Sequence, residues 1–289
     1  RRTIMINLIS KKVTHKQFGI GSIVKHNDSS IEIHFASENK KFIYPDAFGK
    51  HLKLHDQSDA VALEKIIETK ELEQKEEKSK REEEEKLQRK SRELRLEHEK
   101  LMRNHKLHSE SQLAFWCDTD EQNRAFSEWK VFSGVTKSGA SKGMPSKPIR
   151  LFPNSAVLLT ALDSDKHEKD RRIIGVYMVN EDFIGKLCED GYIPAHSKYR
   201  LQLTEQESEQ MLFWEYYVNE KSPHKMTWNS GKHRYFDNTW MAQILLRIVS
   251  LKSDPKEREI AQQFFKYFCK KNNITAQELP KPNGTLMRI

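Results

Sequence analysis

The chain has 289 residues, 36% hydrophobic and 32% charged, so it has enough apolar residues for a core but not for one along its whole length; the length allows two domains and a connecting element. Lys and Arg number 50 against 42 Asp and Glu, a formal net charge of +8, and the excess sits in the flanks: residues 1–58 carry 10 basic and 5 acidic side chains, residues 59–109 carry 14 of each, and residues 110–289 carry 26 and 23. No apolar run approaches the ~18 residues a membrane span needs, no signal peptide is visible, and Cys117, Cys188 and Cys269 lie too far apart to indicate a disulfide framework or a zinc site, which fits a reducing cytoplasm.

The four residues Arg1 to Ile4 precede Met5-Ile6-Asn7-Leu8, which reads as a natural start, so their charge carries no weight. Residues 5–56 then show short alternating runs: Ile20, Ser22 and Val24 opposite Gly21, Ile23 and Lys25, and Ile31, Ile33 and Phe35 opposite Glu32 and His34. Asn27-Asp28-Ser29-Ser30 between them predicts a hairpin. Phe42-Ile43-Tyr44 predicts a third strand, stopped by Pro45-Asp46, and Gly19 and Gly21 mark a place where a tight barrel needs a permissive backbone or a bulge.

The run Val13-Thr14-His15-Lys16-Gln17-Phe18-Gly19-Ile20-Gly21-Ser22-Ile23-Val24, with Ile31-Glu32-Ile33-His34-Phe35 and Lys41-Phe42, resembles the small Tudor or SH3-like barrel at the C-terminus of UvrD-family helicases, a relative of the CarD-type polymerase-binding barrel. The resemblance implies an SH3-like fold and docking on RNA polymerase, a helicase or another large nucleoprotein machine. His15, Lys16 and Phe18 are the docking candidates; the alternative makes Phe18 a core residue and His15 a polar residue at a strand end.

Residues 59–109 contain neither Gly nor Pro and are dominated by Glu, Lys, Arg and Leu, which predicts one long charged helix of up to roughly 75 Å. Glu71/Lys75, Glu76/Lys80, Glu77/Arg81, Glu82/Lys86, Glu85/Arg89 and Glu99/Arg103 are spaced to pair along it. Leu87, Leu94 and Leu101 recur at heptad spacing, but the other seam position is polar, so the expectation is a solitary helix with weak self-association in its C-terminal half. Val61, Leu63, Ile66 and Ile67 are apolar enough to pack back on the barrel, and His98, His105 and His108 read as solvated helix histidines rather than metal ligands.

Residues 110–289 hold all five tryptophans and read as an α+β domain. The predicted order is a helix over 120–132, a Gly/Ser/Lys loop through Pro148, strands over 156–162, 172–179 and 199–203, and a helix over 205–217 opened by a Thr204/Glu207 capping box. A hairpin over 228–236 and helices over 238–251 and 255–271 complete it. The basic loop, the strand Ser155 to Leu162 and the strand Arg171-Arg172-Ile173-Ile174-Gly175-Val176-Tyr177-Met178-Val179 resemble the PUA-like superfamily, which includes the ASCH, EVE and YTH domains. That resemblance implies a small barrel whose cleft reads RNA or a modified base.

Two windows lack acids. Residues 129–162 carry Lys130, Lys137, Lys142, Lys147 and Arg150; residues 221–236 carry Lys221, Lys225, Lys232 and Arg234, with Trp228, Tyr235 and Phe236 interleaved. Such concentration of positive charge beside aromatic rings suits phosphates and an unstacked base, and the predicted nucleic-acid contacts are Lys130, Lys137, Lys142, Lys147, Arg150, Lys225, Trp228, Lys232, Arg234 and Tyr235. A flexible basic loop beside a core hairpin is the competing reading.

Gly134 to Ser141 nearly spells a phosphate-binding loop, but Ala140 stands where its Lys is required and Pro145 and Pro148 deny the following helix. Asp163, Asp165, Glu168 and Asp170 alternate with Lys166, Lys169, Arg171 and Arg172, as a charged surface turn would. No catalytic motif, cofactor or metal is implied. The sequence therefore points to a non-enzymatic nucleic-acid-binding protein, DNA or RNA undecided and without a membrane partner, or else to an adaptor docking through its N-terminal barrel.

Overall fold

The computed structural model describes residues 6–228 and 231–288; the expected start at Met5 and residues 229 and 230 of the expected hairpin lie outside the described residues. The chain is mixed α and β, with a long helix and two curled sheets, and divides into two compact units, Arg1–Arg95 and Leu96–Ile289. No described helix is long and apolar enough to cross a membrane.

In the first unit, β1 (Lys12–His15), β2 (Gly19–His26), β3 (Ser30–His34), β4 (Asn39–Ile43) and β5 (Leu52–Leu54) form one antiparallel sheet in the order β4-β3-β2-β1-β5. The alternation in β2 buries the Gly21 and Ile23 side and leaves Ile20 and Val24 exposed. Gly21 is required there: a Cβ would stand 2.7 Å from the Ile33 side chain and 2.8 Å from Phe35. A register shift between Ile23 and Lys25 supplies the bulge that curls the strand. A short helix, α1 (Asp46–Lys50), follows the third predicted strand.

The long helix α2 spans Gln57–Arg103, about a turn shorter than expected at its C-terminal end. Leu63 is buried in the core of the first unit with Ile67 packed beside it, as the sequence suggested, whereas Val61 faces solvent. Asp56 opens the helix by accepting the backbone N–H groups of Ser58 and Asp59, and Lys11 pairs with both Asp56 and Asp59. Its surface pairs include Arg81 with Glu85 and Arg89 with Glu93, a direction opposite to the expected Glu-to-Lys order. His105 and His108 lie beyond the helix. His105 is stacked on Phe152 at 3.9 Å and bonds Asn154 at 3.0 Å, and His98 bonds the Asp182 carbonyl at 2.9 Å, so these two are anchors, whereas His108 is exposed.

The second unit is built on a six-stranded sheet, β11-β6-β8-β9-β10-β7, from β6 (Gln112–Trp116), β7 (Lys130–Phe132), β8 (Ala156–Ala161), β9 (Arg172–Val179), β10 (Tyr192–Gln202) and β11 (His233–Phe236). β6 and β8 are parallel and the remaining pairs antiparallel. All six residues of β8 are buried, as befits a strand covered on both faces. On one side Leu158, Val176 and Met178 pack against α5 (Asn238–Leu251) and α6 (Pro255–Asn272); on the other, Val157, Leu159 and Tyr177 pack against Ala125 and Phe126 of α3 (Thr119–Glu128).

Three predicted elements differ. The helix expected over 120–132 stops at Glu128, because Trp129 takes the left-handed conformation (φ 50°, ψ 48°) and turns the chain into β7, which pairs with β10. The helix expected over 205–217 is one turn, α4 (Glu205–Ser208); its capping box forms, but Leu212 then bridges back to Arg172 and draws the backbone out of the helix. Of the hairpin expected over 228–236, His233–Phe236 form β11, which pairs with β6, a strand more than a hundred residues earlier; residues 229 and 230 lie outside the described residues.

Two buried polar groups fix the frame. Lys252, after α5, is 1% exposed and reaches Glu207, Glu257 and the Gln202 carbonyl, tying the helical layer to β10. Asn154 and Asn272 bond each other, Ser111 and Gln112, holding the segment that leads into β6.

Candidate nucleic-acid interface

The first acid-free window forms a laced finger rather than a slack loop. The Ser146 N–H donates to the Gly134 carbonyl at 2.8 Å, the Thr136 N–H to Met144 at 2.9 Å and the Gly143 N–H to Thr136 at 2.9 Å, with a bridge between Val135 and Pro145. Gly139 and Gly143 hold positive φ (80° and 83°), which lets the tip turn over residues 137–142. Residues 137–144 are exposed, and Lys137 and Lys142 make no ion pair among the described residues. Val135, opposite Pro145, and Met144, opposite Thr136, are 53% and 59% exposed, and alternation sends them to opposite faces of the finger. At the finger's base, Gly185 packs so closely on Pro148 that a Cβ would overlap the Pro148 carbonyl.

The other basic residues of this window are engaged. Lys130 pairs with Glu128 at 2.7 Å and lies over Tyr192, and Lys147 reaches the Lys186 carbonyl at 3.4 Å. A shallow pocket of about 150 Å³, lined by Glu121, Arg124, Glu128, Lys130 and Tyr192, lies beside them and is of mixed charge.

Arg150 joins the two windows. Its guanidinium lies 4.6 Å from the Tyr235 ring centre, its backbone N–H donates to the Tyr235 hydroxyl at 3.3 Å, and it pairs with Glu110 at 2.8 Å. Alternation along β11 sends Arg234 and Phe236 to the opposite face; Phe236 is buried in the core there.

On that face the cations and rings of the second window form a column. Lys232 lies 5.1 Å from the Trp116 ring and Arg171 5.4 Å from it; Arg171 is 4.6 Å and Arg234 4.3 Å from Trp228; Arg234 is 5.0 Å from Tyr217. Arg171 is 1% exposed and bonds Glu168 through both carboxylate oxygens, at 2.6 and 2.9 Å, while Trp214 donates to the same Glu168. Lys232 pairs with Asp118 and Glu121; burial opposes its charge, but the two carboxylates outweigh burial and hold its pKa above the ordinary Lys value. Arg234 makes no ion pair among the described residues, and its Nε is buried without a partner, as is Arg171 Nη1.

Trp228, Lys232 and Arg234 are thus brought together, Arg150 and Tyr235 meet on the other face, and Lys225 is exposed. Arg171 and Trp116 were missed. Arg171 reads as part of a charged surface turn, yet the structure buries it; only its place immediately before β9, whose residues 173–179 are all buried, hints at this. Asp163 and Arg172 do behave as an exposed pair. All three cysteines are free and buried, and burial pushes the thiol pKa of Cys117 up to about 12, so none is poised as a nucleophile.

In the first unit, His15 is 6% exposed and its Nδ1 accepts the backbone N–H groups of Gln17 and Phe18 at 3.1 and 3.3 Å. Phe18 stacks on His15 at 4.6 Å with Lys40 4.2 Å from its ring, and it remains 37% exposed; Lys16 is exposed.

No family model, curated protein or solved structure matches this chain.

Proposed function

We propose that the second unit is a non-enzymatic nucleic-acid-binding module. The observation that carries this reading is the meeting of the two acid-free windows, 85 residues apart in sequence, at Arg150 and Tyr235. Lys137 and Lys142 on the finger, and Arg234 in the column on the opposite face of β11, have no carboxylate partner among the described residues, and unpaired cations are what a phosphate backbone neutralises. A PUA-like reading of this sheet is supported by the finger followed by the antiparallel pair β8 and β9, and an SH3-like reading of the first sheet by its five short strands with a bulge in β2.

Labelled DNA and RNA, single- and double-stranded, titrated with the full chain at 50 and 200 mM salt test the proposal. About four phosphate contacts should lower affinity roughly a hundredfold over that range. Absence of salt-dependent binding to every probe would refute it.

The second reading, an adaptor that docks on RNA polymerase, a helicase or another nucleoprotein machine, is favoured by Ile20, Val24 and Ile43, exposed at 62%, 40% and 68% on the first sheet. A pull-down with a fragment that reaches past Ile67, so that Leu63 completes the core, tests it: recovery of no machine subunit counts against the adaptor.

A further inference from the structure

The finger's geometry points to a particular form of nucleic acid, an inference that rests on the nucleic-acid reading above. We infer that residues 133–146 are a two-stranded ribbon that enters the major groove of duplex DNA, with Lys137 and Lys142 at its tip, Val135 on one face and Met144 on the other.

Four observations lead there. The finger is held as a ribbon by its own backbone bonds, Gly134 to Ser146 and Thr136 to Met144 and Gly143, so it presents a fixed shape. Paired strands lie about 4.8 Å apart, and the B-form major groove, about 12 Å wide, admits a two-stranded ribbon. The A-form major groove of duplex RNA is deep and narrow and does not. The tip residues Lys137, Ser138, Ser141 and Lys142 are exposed, and no acid occurs from 129 to 162 to repel phosphates.

Two exposed apolar side chains, one on each face, supply the fourth. Val135 and Met144 are more than half exposed on a ribbon whose other residues are Gly, Ser, Thr and Lys apart from Ala140 and Pro145. The thymine methyl is the apolar feature of the major-groove floor, and side chains of this size contact it. Lys137 and Lys142 then meet guanine O6 and N7 or the flanking phosphates, and Ser138 and Ser141 offer hydroxyls to base edges.

A single strand is disfavoured by the state of the aromatic rings. Nonspecific single-strand binding uses free ring faces. Here Trp228 has two guanidiniums over its ring, Tyr235 has Arg150, and Phe236 is buried.

The test compares the full chain and its K137Q/K142Q and M144A variants by fluorescence anisotropy on a 20-base-pair DNA, an RNA duplex of matching sequence and one DNA strand alone. The DNA duplex should bind at least tenfold tighter than the other two. K137Q/K142Q should reduce the slope of log affinity against log salt by about 2 and weaken duplex binding tenfold or more, with an unchanged melting temperature. Protection of guanine N7 from dimethyl sulfate by the parent chain gives a second readout that needs no variant. Equal binding of RNA duplex or single strand, undiminished binding by K137Q/K142Q, or unprotected N7 would overturn the inference while leaving nucleic-acid binding standing. Failure of the parent to bind any of the three probes would remove the functional reading itself, and this one with it.

Discussion

The Tyr235 hydroxyl accepts the backbone N–H of Arg150 at 3.3 Å while the Arg150 guanidinium lies 4.6 Å from the same ring. One side chain therefore fixes both the path of the chain at the foot of the finger and the direction of a cation. The two roles separate by mutation. Tyr235→Phe leaves the N–H without its acceptor and should cost about 1 kcal/mol in urea unfolding. Arg150→Gln removes both a pair with Glu110 whose side chains are 39% and 56% exposed and a cation over the Tyr235 ring, so stability should fall by no more than about 1 kcal/mol. Its effect should appear in nucleic-acid binding, as a loss of about 1 in the salt slope; an unchanged slope would mean that Arg150 contacts no phosphate.

Arg171 should behave in the opposite way. Its guanidinium is buried, bidentate on Glu168 and set between Trp116 and Trp228, so Arg171→Met strands a carboxylate that is only 23% exposed. Breaking a buried pair from one side costs about 3–5 kcal/mol. Glu168→Gln added to Arg171→Met should restore much of that loss, since Trp214 can still donate to the neutral side chain. Urea unfolding of the single and double variants decides it, and a single-variant loss under about 1 kcal/mol would show that the column is not a structural staple.

What could be read in advance followed from local signals. β9 and the two long C-terminal helices lie where apolar runs and caps placed them: Asp237 and Asp254 each accept two backbone N–H groups at the helix starts. β6 was not legible because it is buried on both faces and pairs with strands far along the chain, so Leu113-Ala114-Phe115 shows no alternation. The segment after Thr204 carried a true capping box and a false length. Ser208 Oγ donates to the Ile173 carbonyl and the chain returns to β9, a tertiary bond that no local propensity reveals. The finger was visible as charge and composition; its backbone lacing was not, since it depends on the positive φ at Gly139 and Gly143 occurring together.

Acid should loosen the first unit through His15. Its Nδ1 accepts two backbone N–H groups, which only the neutral ring can do, and burial, with lesser help from His51 and Lys40, depresses its pKa below the ordinary His value. The unfolded chain then binds more protons in the window between the two values, so stability rises with pH there. This contribution is fully present above about pH 6.5 and is lost as pH falls from there toward the folded-state pKa. Burial depresses His26, His105 and His233 with the same sign. Unfolding at pH 7.5 and 5.5 should give lower stability at the acidic value, and His15→Gln should be weaker at pH 7.5 yet show a smaller difference between the two. An equal difference would acquit His15.

Arg234 allows charge and stacking to be told apart at one position. It lies 4.3 Å from Trp228 and 5.0 Å from Tyr217, and no carboxylate pairs with it among the described residues, so it contributes a planar stack and an unneutralised charge. Arg234→Lys keeps the charge and loses the plane. That variant should retain the parent's salt slope in nucleic-acid binding while melting earlier, because an ammonium cannot stack flat on Trp228 and Tyr217 as the guanidinium does. Arg234→Gln loses the charge as well, and its slope should fall by about 1. If both variants keep the parent's slope, Arg234 only braces the column, and the phosphate contacts belong to the finger and Arg150. If Arg234→Lys loses slope as much as Arg234→Gln does, the contact needs the planar fork of the guanidinium, and a bidentate hold on phosphate replaces simple charge neutralisation as its mode of binding.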